Sequence, residues 1–270
     1  MLSIANFNMH CGIDGWGRPY DYVGAITSFG TDVIVLEEAW TTDGEASGQA
    51  EEAAAALGFA AFTHTLGEGR RIRPQPDPGD SWIPQPSWSD HNRALYMDGV
   101  EAQPAKVQAM PRWQEAEPGT WGIAVLVRPA LAVETTKVLP LRQLRADRVR
   151  RAALVVDLTV QGRPISVVGT HMPHLPYGSH RTWAELRRLL RTEARPDAVL
   201  SGDMNTWGPL VRFFMPHWHR AVRGRTWPSW SPHSQIDHIL TRGALRPRTG
   251  EVLPDAGSDH RPIRTTLDLG

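Results

Sequence analysis

Apolar runs of strand length recur along almost the whole chain, separated by helical patterns or turn residues. Asp32–Leu36 is one such run, and its continuous apolar character is typical of a strand buried on both faces. Glu45–Leu57 is rich in Ala and Glu and ends at Gly58, which predicts a helix with a glycine C-cap. This alternation predicts an α/β fold. Because we see no repeat and no clear linker, we expect a single domain over residues 1–270.

The same patterns place the remaining elements. Gln161-Gly162 predicts a tight hairpin between two neighbouring strands. Further helices are predicted at Tyr20–Phe29 and Ser179–Thr192. Further strands are predicted at Leu2–Asn8, Phe59–His64, Gly122–Val127, Val133–Leu139, Ala152–Val160, Ile165–Thr170, Ala198–Ser201, Gln235–Leu240 and Pro262–Leu267.

One long segment, Arg70–Asn92, does not fit a regular element because it contains five prolines together with Trp82 and Trp88. We interpret it as a long surface loop, which in a compact domain is usually functional or disordered, and the tryptophans favour order. Two roles for the tryptophans stay open. They could form an aromatic wall over a binding site, together with Trp207, Trp227 and Trp230, or they could be core or loop-anchoring residues.

Composition excludes several classes of protein. The 29 Lys and Arg residues balance the 29 Asp and Glu residues, which argues against binding nucleic acid mainly through bulk positive charge. The one cysteine, Cys11, excludes an intrachain disulfide framework and a cysteine-rich zinc site. Apolar runs are shorter than the ~18 residues of a membrane span, and Leu2–Phe7 opens the chain as strand-like sequence without a signal peptide. We therefore expect a soluble, cytoplasmic protein, and a monomer.

Polar residues cluster where the predicted strands end, which is where α/β folds collect their reacting groups. Carboxylate and amide oxygens with histidine, and without cysteine, match Mg²⁺ or Mn²⁺ better than a structural zinc ion. These strand-end residues are Asn6, Asn8, Glu37, Glu38, Thr170, His171, Asp203, Asn205, Asp237, Asp259 and His260.

The order of these motifs resembles that of one known superfamily. From residue 2 to about residue 267 the chain is similar to the endonuclease/exonuclease/phosphatase superfamily, which includes DNase I, apurinic endonucleases, inositol polyphosphate phosphatases and neutral sphingomyelinases. The motifs that carry the resemblance are Asn8, Asp32–Glu38, Gly169–His171, Gly202–Asn205, Ile236–His238 and Ser258–His260. The resemblance implies a four-layer α/β sandwich, in which two facing mixed sheets are covered by helices and the active site lies at one end.

The resemblance also implies metal ligands. Glu38 would be the principal ligand, and Asn8 would help to orient the metal and the phosphate. Asp203 would orient or deprotonate the attacking water and would also approach the metal. Asp259 would approach the metal as well. Taken alone, Gly202–Asn205 is also compatible with an ordinary turn.

Two histidines would act on the phosphate itself. His260 would sit against the phosphorus with its orientation fixed by Asp237, and a buried carboxylate partner favours the imidazolium form. His171 would contact the phosphate and could protonate the leaving group. Asn205 would bind a phosphate oxygen or the attacking water.

Some positions are weaker candidates or depart from the family pattern. Arg148 or Arg151 could bind phosphate, although solvated surface charges are the alternative. Glu37 stands where the family usually has glutamine, and His10 stands where many nuclease-like members have an acidic residue. His238 follows Asp237 at a position where another residue is common.

The chemistry that uses this set is in-line attack of water on a phosphate ester, assisted by Mg²⁺ or a substituting Mn²⁺. We expect a Mg²⁺-dependent hydrolase acting on a small molecule or a lipid headgroup. The alternative is a DNA or RNA nuclease of the same fold, and a binding module without catalysis is less favoured because each core position is filled. Overall neutrality and the presence of only two lysines, Lys106 and Lys137, favour the first class over a nuclease.

Overall fold

The computed structural model describes residues 1–15, 19–72, 95–97, 116–145, 147, 149–174 and 178–270. The helices are the short 3₁₀ helix η1 (His10–Gly12) and the α-helices α1 (Tyr22–Ser28), α2 (Gln49–Leu57), α3 (Ser179–Glu193) and α4 (Gly208–Phe214). The strands are β1 (Leu2–Asn8), β2 (Val33–Thr42), β3 (Ala60–Ile72), β4 (Leu95–Met97), β5 (Ala116–Val127), β6 (Ala132–Pro140), β7 (Ala152–Val160), β8 (Arg163–Thr170), β9 (Ala198–Asp203), β10 (His219–Arg220), β11 (Asp237–Arg242), β12 (Arg246–Val252) and β13 (Ile263–Asp268).

The strands form two mixed sheets. The first has seven strands in the order β12-β13-β1-β2-β5-β3-β4, and the second has six in the order β10-β11-β9-β8-β7-β6. Each sheet contains one parallel pair, β1 with β2 in the first and β8 with β9 in the second. Parallel neighbours end at the same edge, so these two pairs bring four strand ends to one end of the molecule.

Three apolar clusters hold the layers together. The largest lies between the sheets, where Val33 and Val35 of β2 share a cluster with Val156 and Leu158 of β7. Alternate residues of the same strands face outward, so that both faces of each sheet are buried. Helices α1 and α2 pack on the first sheet, and α3 and α4 pack on the second. The predicted four-layer sandwich is therefore confirmed.

Local sequence accounts for most element boundaries. In α3 the buried Trp183, Leu186 and Leu190 recur at the spacing of one helical face. The hairpin between β7 and β8 turns at Gln161 (φ 52°) and Gly162 (φ 78°), both in the left-handed region that a two-residue I′ turn requires.

Several predicted boundaries were wrong. Strand β2 continues past Leu36 to Thr42, and β5 begins at Ala116 rather than at Gly122, because both strands keep pairing beyond their apolar runs. Strand β3 continues to Ile72, so Arg70–Ile72 is not part of a loop: Arg71 pairs with Glu117 across β5, and the ladder extends the strand beyond the apolar run. Helix α2 begins at Gln49 rather than at Glu45, because Glu51 caps the backbone N–H of Gly48. The rest of the predicted loop, with Trp82 and Trp88, lies outside the described residues.

Candidate active site

A β-bulge at the end of β2 sets the position of Glu38. In the pairing of β2 with β5, Glu37 lies opposite Ile123 and Ala39 lies opposite Gly122, so Glu38 is the extra residue. Its φ of 52° is in the left-handed region, which non-glycine residues seldom adopt. A bulge redirects a side chain at the end of a strand. Here the carboxylate of Glu38 reaches Asn8 of the neighbouring strand.

The second sheet contributes Asp203 and Asp237, which are Cα partners in the pairing of β9 with β11. Close approach of β8 and β9 depends on Gly202. A Cβ at this position would lie 1.8 Å from the carbonyl oxygen of Thr170, so a residue with a side chain would push the two strand ends apart. His171 follows directly after β8 and so lies beside Asp203.

Side chains from both sheets meet at one centre. The Nδ2 atom of Asn8 lies 3.2 Å from Glu38 Oε1 and 3.2 Å from Asp203 Oδ2, and so bridges the two acids. His171 Nε2 lies 3.5 Å from Asp203 Oδ2 and 3.9 Å from Glu38 Oε1. The Nδ2 atom of Asn205 lies 3.2 Å from His171 Nε2. These five predicted site residues therefore share one location.

His260 and Asp237 form a hydrogen-bonded pair at the edge of this centre. His260 Nδ1 lies 3.0 Å from each carboxylate oxygen of Asp237, and its Nε2 atom lies 3.9 Å from Asp203 Oδ2 and 3.8 Å from Asp259 Oδ2. Burial alone would lower the pKa of His260, but the carboxylates of Asp237, Asp259 and Asp203 raise that pKa well above its usual value. His260 is therefore the protonated histidine of the centre.

His171 has the opposite character. Burial lowers its pKa well below the usual value, and the nearby positive charge of Arg151 lowers it further. One neutral and one protonated imidazole thus face the same carboxylates, an arrangement that separates the roles of two otherwise identical groups. Burial also raises the pKa of Asp203 to about 7, against the opposing effect of the charged His260.

The donor set fits a divalent cation. Glu38, Asp203, Asp237 and Asp259 are all buried, and burying this much negative charge is costly without nearby positive charge. Glu38 Oε2 is buried and has no hydrogen-bond partner among the described residues. Asp203, Asp237 and His260 form a group whose donor atoms lie within 4.8 Å of one another. Oxygen-rich sites of this kind suit Mg²⁺ or Mn²⁺.

Arg151 lies beneath the centre. It is buried, its Nε atom lies 2.9 Å from Asp147 Oδ2, and its Nη1 atom donates to the carbonyl oxygen of His171 at 3.4 Å. Its guanidinium carbon lies 5.9 Å from the ring centroid of Trp121, and the Trp121 ring meets the His171 ring edge-on at 5.8 Å. In this arrangement Arg151 supports the backbone and ring of His171.

The other predicted binding residues differ in position. Trp207 is 59% exposed and directly precedes α4, on the loop that carries Asn205. Arg148 lies outside the part of the chain that the structure describes. Trp227 contributes a contact that sequence reasoning did not identify, since its Nε1 atom donates to Asp259 Oδ2 at 3.0 Å.

The histidine after Asp237 has a structural role in holding the Asp203 loop. His238 is fully buried, and its Nε2 atom lies 2.9 Å from the carbonyl oxygen of Thr206. Burial lowers the pKa of His238 to about 4, so the ring is neutral and Nε2 donates this bond. Trp183 Nε1 donates to the hydroxyl of the same threonine at 3.2 Å. Together they fix the backbone beside Asn205.

A second buried polar pair lies next to the centre. Asn6 Nδ2 donates to Glu37 Oε1 at 2.6 Å, and both side chains are buried. Burial raises the pKa of Glu37 well above its usual value, and the charges of Asp237 and Asp203 add to the effect. An uncharged residue of the same shape is therefore better suited to this position at neutral pH.

The Glu37→Gln variant is expected to be more stable than wild type, by an amount that grows as the pH rises. A carboxyl whose folded pKa is raised favours the native state below its unfolded pKa and loses that benefit as pH rises toward the folded pKa. Glutamine has no such loss. We expect the difference in Tm between the variant and wild type to be close to zero near pH 4.5 and to grow up to pH 8. Each ~1 kcal/mol of added stability raises Tm by roughly 2–4 °C in a chain of this size. Thermal unfolding followed at several pH values measures this, and a difference independent of pH would contradict it.

Comparison with known proteins identifies the family. The sequence profile of the Endonuclease/Exonuclease/phosphatase family matches residues 5–260, which include all of the residues gathered at the centre. The chain belongs to this family. Endonuclease/exonuclease/phosphatase proteins are hydrolytic phosphoesterases, which agrees with the donor set described above. A comparison with curated proteins finds no significant match.

Solved structures of the endonuclease/exonuclease/phosphatase family share the fold. An endonuclease/exonuclease/phosphatase from Beutenbergia cavernae is 19% identical with a TM-score of 0.67, covering 100% of this chain and 72% of that one. The human Nocturnin catalytic domain with bound sulfate is 13% identical with a TM-score of 0.63, and the match covers 99% of this chain and 93% of that one. A mannosyl-6-phosphatase from Bacteroides thetaiotaomicron is 13% identical with a TM-score of 0.60, and the match covers 99% of this chain and 100% of that one. At these identities the likeness concerns the fold.

Proposed function

We propose that the chain is a Mg²⁺-dependent hydrolase of phosphate esters that acts on a small molecule or a lipid headgroup. The observation that carries the proposal is that His171 Nε2 lies 3.9 Å from Glu38 Oε1 and 3.5 Å from Asp203 Oδ2, beside the His260–Asp237 pair. Acids and imidazoles in this arrangement suit in-line displacement at phosphorus. The proposed domain spans residues 1–270 and the proposed location is the cytoplasm.

In this proposal Glu38 and Asp203 hold the cation, with Asp259 close by. A bound Mg²⁺ would neutralise charge on the phosphoryl oxygens and on the leaving oxygen. The deprotonated carboxylate of Asp203 orients the attacking water and accepts its proton. Because its pKa is about 7 without a metal, a cation beside it favours the deprotonated form that this role requires.

The two histidines divide the remaining work. The imidazolium of His260, held by Asp237, donates a hydrogen bond to a phosphoryl oxygen and stabilises the negative charge that grows there. Neutral His171 contacts the phosphate as well. Its Nε2 atom also neighbours Asn205, which binds a phosphate oxygen or the attacking water.

Two buried arginines near the centre, among the residues that the structure describes, favour a small ester over a nucleic-acid backbone. Arg151 is paired with Asp147, and Arg71 is paired with Glu117 at 2.6 Å, and both arginines are buried. A nuclease gains affinity from exposed cations that contact successive phosphates. Paired and buried guanidinium groups do not provide this. The mannosyl-6-phosphatase among the structural neighbours is a small-ester enzyme with this fold.

A panel of phosphate esters tests the proposal. We expect hydrolysis of a small-molecule or headgroup ester with Mg²⁺, loss of activity with EDTA, and recovery with Mg²⁺ or Mn²⁺. Plasmid DNA and RNA in the same panel test the nuclease alternative, and their preferred cleavage would overturn the substrate class. Activity that is indifferent to EDTA would contradict the metal requirement.

A further inference from the structure

A cavity of about 240 Å³ lies next to the candidate active site and uses none of its acids or histidines. It is bounded by η1, by the start of α2 and by the ends of β2 and β3. The residues that matter most for its chemistry are Tyr22, Trp40, Glu45, Gln49, Glu52 and Arg71. Because pockets for drug-sized ligands have volumes of about 300–1,000 Å³, this smaller cavity admits a ligand with one ring.

The floor of the cavity is rigid. Gln49 accepts a hydrogen bond from the backbone N–H of Trp40 at 3.0 Å and donates to the carbonyl oxygen of Cys11 at 3.1 Å. Arg71 donates to the same carbonyl, and its guanidinium carbon lies 5.3 Å from the ring centroid of Trp40. Trp40, Gln49 and Arg71 are all buried. A floor fixed in this way loses little conformational entropy when a ligand binds.

The mouth of the cavity carries carboxylates and an aromatic ring. Glu45 and Glu52 are exposed, and the half-buried Tyr22 donates its hydroxyl to Glu52 Oε2. This bond holds the carboxylate of Glu52 at the hydroxyl end of the Tyr22 ring. Carboxylates accept hydrogen bonds from two neighbouring hydroxyl groups at once, while an aromatic face packs against C–H groups.

The charges of the lining argue against an anion, and the occupied Trp40 ring argues against an organic cation held on its face. Arg71 is already paired with Glu117, so the carboxylates of Glu45 and Glu52 would repel an anion. A cation would normally be recognised on the face of Trp40. That ring already has the guanidinium of Arg71 over it, which would repel a second cation.

The cavity and the candidate active site share a wall. In η1, Gly12 lines the cavity, while His10 Nδ1 lies 3.8 Å from Asp259 Oδ1. Trp40, in the floor of the cavity, follows Glu38 by two residues on β2. The cavity therefore adjoins the part of β2 that carries the carboxylate we assign to the cation.

We propose that this cavity binds an uncharged polyhydroxylated ring, a sugar or a cyclitol. Glu45 and Glu52 accept its hydroxyl hydrogens and the Tyr22 ring packs against its C–H face. The further statement that this ring is the alcohol part of the hydrolysed ester rests on the proposed function. Binding of the free ring does not.

The test is binding of free rings to the full-length protein in EDTA, so that no turnover is involved. D-mannose, D-glucose, D-ribose and myo-inositol are titrated separately, with choline and inorganic phosphate as charged probes, and binding is followed by saturation-transfer NMR. We expect at least one of the four rings to bind with a Kd near the millimolar range and the charged probes not to compete with it. Glu52→Gln should weaken binding about 10-fold, because it removes charge-assisted hydrogen bonds.

Two further variants separate a local effect from a global one. Tyr22→Phe keeps the aromatic ring but frees Glu52, and should weaken binding about 3-fold. Glu193→Gln, on the distant helix α3, should bind as wild type does. Failure of all four rings to bind, equal binding by Glu52→Gln and wild type, or competition by choline or phosphate would each overturn the proposal. Ring binding without hydrolysis of any ester would instead count against the proposed function alone.

Discussion

Replacing Glu38 with glutamine lowers kcat/KM for the phosphate ester by at least about 10³-fold in the proposed mechanism. Glutamine keeps the shape of the side chain but removes its charge, and the buried oxygen that lacks a partner among the described residues is the one best placed for a cation. The steady-state rate at saturating Mg²⁺ measures the loss, and titration with Mn²⁺ measures the accompanying loss of metal affinity.

The neighbouring residue provides a matched control for this experiment. Glu37→Gln makes the same chemical change one position earlier on β2, in a side chain that bonds to Asn6 rather than to Asn8. We expect its kcat/KM to stay within a few-fold of wild type. Equal losses in both variants would mean that the bulge does not select Glu38, and full activity of Glu38→Gln would contradict its role as a ligand.

Replacing His260 with asparagine is expected to lower kcat/KM by about 10³-fold, because the imidazolium then no longer stabilises the phosphoryl oxygens. The Asp237→Asn variant tests the role of His260 in a second way, by changing the pKa of its imidazole. The carboxylate of Asp237 is one of the charges that raise the pKa of His260, so its loss should bring the alkaline decline of kcat/KM to lower pH. The pH profiles of the wild type and the Asp237→Asn variant measure this shift.

If kcat/KM declines at the same alkaline pH in the wild type and in the Asp237→Asn variant, the proposed role of the His260 imidazolium is contradicted. Chemical rescue gives a further check. If the imidazolium of His260 is the group that acts on the phosphate, added imidazole should restore part of the activity of a His260→Ala variant. If the His260→Ala variant unfolds at the same temperature as wild type and keeps full activity, His260 has no role in catalysis.

Local patterns in the sequence were sufficient to predict most of the strands and the grouping of the polar residues. Buried runs such as Asp32–Leu36 carry a strong periodic signal, and motifs at their ends could be ordered along the chain. By contrast, β12 is mostly exposed and has no such period, so it was not predicted. Strand β3 extends beyond its apolar run because a partner strand continues the ladder.

Several features of the site depend on contacts between distant residues, and these the sequence did not reveal. The left-handed backbone of Glu38 follows from an unequal count of residues on two strands. Arg151 carried the charge expected for binding phosphate, but Asp147 lies four residues earlier and pairs with it. His238 was noted only as a departure from a pattern, and its role depends on the carbonyl of Thr206.

In the proposed site, the ends of strands from both sheets hold one divalent cation beside the phosphate. The most direct measurement is a crystal of the active protein soaked with MnCl₂ and examined at a wavelength where manganese scatters anomalously. We expect an anomalous peak within about 2.0–2.5 Å of carboxylate oxygens of both Glu38 and Asp203. A peak bound elsewhere, or none in crystals whose dissolved protein still requires Mn²⁺ for hydrolysis, would contradict it.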